Sequence, residues 1–122
     1  MSDQMPVPVD DLEGDKVAEI AEVFHLLGDP TRLRVVLTCL DDLCSVGDIA
    51  DRVGVSSSLV SHHLRLLRAA RLVRSERRGR HVFYAAADHH VRAIVRDMVD
   101  HVGEPDLGER TIGEPEPGEG HG

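Results

Sequence analysis

The sequence predicts a mainly α fold with one small β-hairpin: a winged helix-turn-helix in the order α-α-α-α-β-β-α. Three observations carry that expectation. Apolar residues recur at helical spacing in several separate stretches. In mid-chain, two such stretches are joined by a turn at Gly54, which is the helix-turn-helix arrangement. Directly after them, two β-rich segments, LVRSE and RHVFYAA, flank Arg77-Arg78-Gly79, as a hairpin with a basic tip would. At 122 residues the chain has the size of one domain.

The elements follow in order. Residues 1–14 are acidic, contain Pro6 and Pro8 and lack periodicity, so they read as a disordered arm. From about Asp15, the residues Val17, Ile20, Ala21, Phe24 and Leu27 form the apolar stripe of a first helix, which Gly28 ends. Asp29-Pro30 starts the second, with Asp29 as N-cap and Pro30 at the first helical position. Leu33, Val36, Leu37 and Leu40 are its expected inward face. Ser45 and Asp48 have cap-like spacing at the start of a short third helix, with Val46, Ile49, Ala50 and Val53 inward. The fourth helix lies in SSSLVSHHLRLLRAARL, residues 56–72, and buries Leu59, Val60, His63, Leu64 and Leu67. After the hairpin, ADHHVRAIVRDMVDHVGE is one more helix, with Val91, Ile94, Val95, Met98 and Val102 at helical spacing. The domain therefore spans residues 15–104. Residues 105–122, with Pro105, Pro115, Pro117 and five glycines, read as a flexible tail.

Composition narrows the function. No apolar run approaches the ~20 residues that cross a bilayer, and no basic-then-apolar leader opens the chain, so a cytoplasmic protein with no membrane partner is expected. The net charge of −8 argues against nucleic acid until its distribution is read. Residues 1–29 carry eight acids and Lys16, a balance of −7, and residues 103–122 carry six acids and Arg110, a balance of −5. Residues 51–80 carry Asp51 and Glu76 against eight arginines, a balance of +6. A basic centre between acidic ends is a local electrostatic footprint. On the fourth helix, Ser57, Ser58, Ser61 and His62 are short and polar and lie off the leucine stripe, as side chains that read a major groove do. Arg65 and Arg68 extend towards the backbone, and Arg77, Arg78 and Arg80 on the hairpin reach a neighbouring groove or phosphate strand.

The last helix poses a separate question. Asp88 and His90 open it, and His101 and Glu104 close it. The two histidines are eleven residues apart, so they share a face but stand roughly 16 Å apart along the axis. One metal ion, with bonds of about 2 Å, cannot reach both. Spacing alone leaves two alternatives: unrelated pairs, or two such helices meeting antiparallel.

The stretches GDPTRLRVVLTCL, LCSVGDIADRVGVSSSLVSHHLRLLRAARLV and RRGRHVFYAAADHH, with the final helix, resemble the ArsR/SmtB family of bacterial winged-helix, metal-responsive repressors. The resemblance covers roughly residues 16–104. It implies a homodimer through the first and last helices, with each protomer placing one recognition helix in the major groove of operator DNA. It implies DNA-reading roles for Ser57, Ser58, Ser61 and His62. It also implies a sensor site of the pattern Asp-x-His, ten residues, His-x-x-Glu, which Asp88, His90, His101 and Glu104 match. Asp88 and His90 of one chain would then join His101 and Glu104 of its twin, twice per dimer. Two imidazoles and two carboxylates suit Zn²⁺, with Co²⁺ on the same ligands. Ni²⁺ wants more ligands, for which His121 or the N-terminal arm would have to serve. The implied function is a repressor that binds its operator metal-free and leaves it on binding Zn(II).

Two rival readings use other residues. Cys44 stands where a cysteine-based sensor motif of the family begins, but position 46 is Val, and Cys39 reads as core. A thiol-oxidation switch through Cys39 and Cys44 is the alternative sensor. A metallohydrolase needs an open coordination position, which four protein ligands do not leave, so no enzyme is expected.

Overall fold

A computed structural model describes residues 13–106. All but the inner end of the predicted arm and tail, and with them His121, lie outside the described residues. Five helices and a small sheet follow one another: α1 (Gly14–Leu27), α2 (Pro30–Thr38), β1 (Cys44–Ser45), α3 (Val46–Val53), α4 (Ser57–Ala69), β2 (Val73–Arg78), β3 (His81–Ala86) and α5 (His89–Gly103).

The helix starts stand where short polar side chains satisfy the free N–H groups of a first turn. Asp29 Oδ2 accepts from Arg32 N at 2.8 Å, Ser45 Oγ from Asp48 N at 3.1 Å, Ser56 Oγ from Leu59 N at 3.1 Å, and Asp88 Oδ1 from Val91 N at 3.0 Å. Between α3 and α4, Gly54 takes φ 81°, the left-handed conformation that ends a helix at little cost without a Cβ. The hairpin turns on Gly79 (φ 66°) and Arg80, because Arg78 pairs with His81. The tip is thus one residue later than Arg77-Arg78-Gly79.

The core sits where α2, α3 and α4 meet. Val35, Val36, Ile49, Val60, Leu64 and Leu67 are fully buried there, each stabilising by roughly 1.5–3 kcal/mol. A strand that periodicity could not reveal joins them: Cys44 and Ser45 pair antiparallel with Tyr84 and Phe83, so the sheet has three strands in the order β1-β3-β2. The hairpin expected from sequence is its β2–β3 part.

Two expectations about inward faces need correction. Leu37 and Leu59 are exposed, and Val35 takes the buried place beside Val36. More telling, Val17, Ile20 and Phe24 on α1 are exposed, Phe24 to 62%, while Leu26 is buried. On α5 only Val95 is buried; Ile94, Met98, Val99 and Val102 are open, Val102 to 75%. The long apolar stripes of the first and last helices therefore face away from their own chain's core. Val95 and an Arg96–Asp41 ion pair hold α5 to the rest.

Candidate nucleic-acid interface and metal ligands

Helix α4 divides cleanly into two faces. Val60, His63, Leu64 and Leu67 are buried. Ser57, Ser58, His62, Arg65 and Arg68 are exposed and Ser61 is half-buried, so every residue assigned to groove reading lies off the core. Arg77, Arg78 and Arg80 are exposed around the hairpin tip. The sequence-predicted cationic residues thus lie on the recognition-helix surface and on the wing.

The wing is less uniformly basic than its composition suggests. Glu76 Oε1 accepts from Arg74 at 3.2 Å, and Glu76 Oε2 accepts from Arg78 Nε at 2.9 Å. Residues 74, 76 and 78 alternate to one side of β2, which is why one carboxylate reaches both guanidinium groups. Those hydrogen bonds, Arg78 first, hold the Glu76 carboxyl below the usual carboxylate range. Among the described residues, Arg65, Arg68, Arg77 and Arg80 have no such acidic partner. Arg78 was assigned to DNA from charge alone; its tie to Glu76 was missed, although two-residue spacing on a strand signals it.

Behind the recognition surface, His63 is 6% exposed. Its Nδ1 accepts from Arg32 Nε at 3.2 Å, while Arg32 also donates to the Leu26 carbonyl at 3.1 Å. Burial, then the Arg32 charge, lowers the His63 imidazole pKa. This network pins α4 to the start of α2 and the end of α1.

The end of α4 holds the strained point of the backbone. Arg71 takes φ 62°, unfavourable for a side chain with a Cβ. Leu72 N donates to Leu67 O at 2.8 Å and Arg71 N to Arg68 O at 2.9 Å, the paired bonds of a Schellman turn, here with Arg where Gly is usual. Ala87 N then donates to Leu72 O at 3.0 Å. Leu72 therefore joins the recognition helix to the residue before Asp88. No sequence signal marks this, because arginine carries no left-handed preference.

Of the four expected metal ligands, the structure brings together only one pair. Asp88 Oδ1 and His90 Nδ1 lie 3.7 Å apart, both exposed. Asp88 also caps α5, and the Val91 N–H bond, then the charge of His90, lowers its carboxyl pKa. His101 and Glu104 are exposed at the opposite end of the helix. Among the described residues no three His, Cys, Asp or Glu side chains of one chain gather around a common point. The neighbouring His89 ring packs against that of His90, with centroids 4.0 Å apart. A cleft of about 400 Å³ lies beside Asp88 and His90, walled by Val23, Leu27, Arg71 and Val91. The left-handed turn after α4 and the Asp88–His90 pair thus line one space.

The cysteines face inward. Cys39 is fully buried, its Sγ donating to Val35 O, and burial pushes its thiol up to about 12. Cys44 is buried too, with its Sγ 3.5 Å from Thr38 O and its pKa raised by burial.

Comparison with known proteins agrees with this architecture. The family model described as "Bacterial regulatory protein, arsR family" matches residues 29–75, from the cap of α2 into β2. A "Transcriptional repressor SmtB homolog" of Synechocystis sp. is 44% identical over 92 residues, covering 75% of this chain and 70% of that protein. The chain belongs to the ArsR family. The transcriptional regulator KmtR of Mycobacterium tuberculosis is 43% identical over 90 residues, covering 74% of this chain and 69% of KmtR. Reduced HlyU from Vibrio cholerae shares the fold with a TM-score of 0.66 at 26% identity, over 74% of this chain and 95% of HlyU. This ArsR-family chain is accordingly a winged-helix transcriptional regulator that acts on DNA, and not an enzyme. None of its described helices is long and apolar enough to cross a membrane.

Proposed function

We propose that this regulator is a metal-responsive repressor: a homodimer that holds operator DNA when metal-free and releases it on binding Zn(II) at sites shared between two α5 helices. One observation carries the reading. α5 bears a carboxylate–imidazole pair at each end, and the apolar side chains Ile94, Met98, Val99 and Val102 on it are at least half exposed among the described residues. A second copy packed antiparallel covers that face and sets Asp88 and His90 against the partner's His101 and Glu104.

The donor set fits the ion. Two imidazoles and two carboxylates suit Zn²⁺, and 3.7 Å between Asp88 Oδ1 and His90 Nδ1 is within a few tenths of the ~3.3 Å between two donors on a tetrahedral ion with bonds near 2 Å. Bound there, the metal would supply a crosslink between the two last helices. Asp88 couples the site to the fold, because the oxygen that stands near His90 also caps α5. Any shift of the helix start is then felt at Ala87, whose N–H is bonded to Leu72 at the end of the recognition helix. An effector changes DNA affinity only by its differential affinity for the two dimer geometries, and this chain of contacts is where that difference is expressed. Relatives that are transcriptional repressors, the SmtB homolog of Synechocystis sp. among them, support the same direction of control.

The thiol-oxidation reading is disfavoured, since both thiols are buried and held protonated, and the thiolate is the reactive form. The variant with extra Ni(II) or Co(II) ligands rests on His121 or the N-terminal arm, which lie outside the described residues.

A zinc titration of operator binding, with metal stoichiometry measured against a competing chelator, tests the proposal. Wild-type protein is expected to leave the operator as two ions bind per dimer. His101→Asn is expected to bind the operator equally well without metal and to ignore zinc. Zinc that tightens wild-type binding, or a variant that is still released, overturns it.

A further inference from the structure

The geometry points to a seat for one DNA backbone phosphate in the cleft between the recognition helix and the sheet, with the Tyr84 hydroxyl as a donor that belongs to neither the helix nor the wing tip. This rests on the DNA-binding reading and adds a residue to it.

The cleft has a volume of about 510 Å³ and is lined by Ser61, Leu64, Arg65, Arg68, Ala69 and Tyr84. Its helix residues fall at intervals of three and four, so they share one edge of α4. Across from them stands Tyr84, fixed in the middle strand: it pairs with Cys44 on one side and Ser75 on the other, and its ring packs on the core. The ring is thus held rigidly while the residue remains half-buried.

Every polar group in the lining is a donor suited to an anion, and none is spent elsewhere. Among the described residues, Arg65 and Arg68 make no ion pair, and neither the Ser61 nor the Tyr84 hydroxyl makes a hydrogen bond. No carboxylate lines the cleft, whereas Glu19 and Glu22 line the cleft between α1 and α4, and Asp88 lines the one at α5. Two guanidinium groups and two hydroxyls converging without an acid match the donors that proteins direct at phosphate oxygens. Because Arg65 and Arg68 lie on the face that carries Ser57, Ser58 and His62, a strand whose bases meet those residues runs its backbone past this cleft. A contact of this kind sets register and carries no base preference.

The experiment is a cycle between Tyr84→Phe and single methylphosphonate substitutions along each strand of the operator, read as equilibrium binding of the full-length dimer. Phenylalanine keeps the ring. Tyr84→Phe is expected to weaken operator and unrelated duplex alike by roughly tenfold per half-site, about a hundredfold for the dimer, the loss of one hydrogen bond to a charged acceptor from each protomer. At one phosphate per half-site, methylphosphonate is expected to cost wild type clearly more than it costs the variant. Ser61→Ala is expected to point to the same phosphate. Equal penalties at every position, or wild-type affinity in Tyr84→Phe, overturn the seat. If Arg65→Ala with Arg68→Ala abolishes binding while Tyr84→Phe keeps wild-type affinity, the DNA reading stands and this inference falls; if none of the three matters, both fall. Competition by millimolar inorganic phosphate at constant ionic strength would mark a small-anion site and also overturn it.

Discussion

Met98 offers the sharpest test of the dimer. It lies one turn from Ile94 and one from Val102, in an apolar surface that also includes Phe24, Leu27 and Leu33 and encloses about 560 Å³. Met98 is 55% exposed in the single chain. Fully burying such a side chain is worth about 2 kcal/mol, so covering its open half with a second protomer contributes about 1 kcal/mol. Twofold symmetry counts each residue twice, giving about 2 kcal/mol per dimer for Met98, close to a 30-fold change in dissociation constant. Phe24, Ile94, Val99 and Val102 are each at least half exposed, and on the same arithmetic the five residues together reach about 10 kcal/mol before the costs of association. Met98→Ala is therefore expected to weaken dimerisation about 30-fold while its monomer keeps a native fold, because Val95 and not Met98 is the buried residue of α5. Sedimentation equilibrium over a concentration series reads the constant, and circular dichroism reads the fold. Wild-type protein that stays monomeric at tens of micromolar, or a variant with an unchanged constant, would refute the reasoning.

Two further outcomes follow from side chains behind the DNA surface. Glu76→Gln removes the counter-charge from Arg74 and Arg78, so operator binding should tighten, and the log–log salt slope should steepen by about 0.9 for each arginine newly set on a phosphate; anisotropy titrations across a KCl series decide it, and an unchanged slope refutes it. For His63, only the neutral ring accepts from Arg32, and its pKa lies below the ordinary 6.5. Between that lowered value and 6.5 the unfolded chain holds the extra proton, so the His63 contribution is complete above about pH 6.5 and declines as pH falls through the window. Urea midpoints at pH 7.5 and 5.5 should show a larger acid loss in wild type than in His63→Gln, whose side-chain oxygen still accepts; equal losses count against the network.

What the sequence could reveal depended on whether the signal was local. Asp29-Pro30, Ser45 and Gly54 each announce an end or a turn, because each acts on backbone groups within three residues, and each stands where the sequence places it. β1 was illegible, since two residues carry no period and Cys44 and Ser45 pair only because β3 arrives alongside. The stripes of α1 and α5 were legible as apolar, but period alone cannot say whether a face meets its own core or another chain. Leu26 and Val95 are buried while Phe24 and Met98 are open on the same helices. The candidate site divides in the same way. Ser57, Ser58, Ser61, His62, Arg65 and Arg68 were readable as the free face of one helix. Glu76 and Tyr84 were not, because their importance lies in what the sheet sets beside them.

The same distinction explains why this small domain can carry a signal. Leu72 bridges the end of the recognition helix and the residue that follows β3 towards α5: it accepts from Ala87, donates to Leu67, and is buried in the core. One residue earlier, Arg71 holds a left-handed conformation that costs roughly 1–2 kcal/mol for a residue with a Cβ. Its one ion pair, with Glu19 at 3.8 Å, is exposed and worth little against that cost. The turn persists because the bonds on either side of it over-determine it. The turn lies on the wall of the cleft that also contains Asp88 and His90. The Asp88–His90 pair, the strained turn and the recognition helix are thus consecutive in space although they are spread over 34 residues of sequence, from Ser57 to His90.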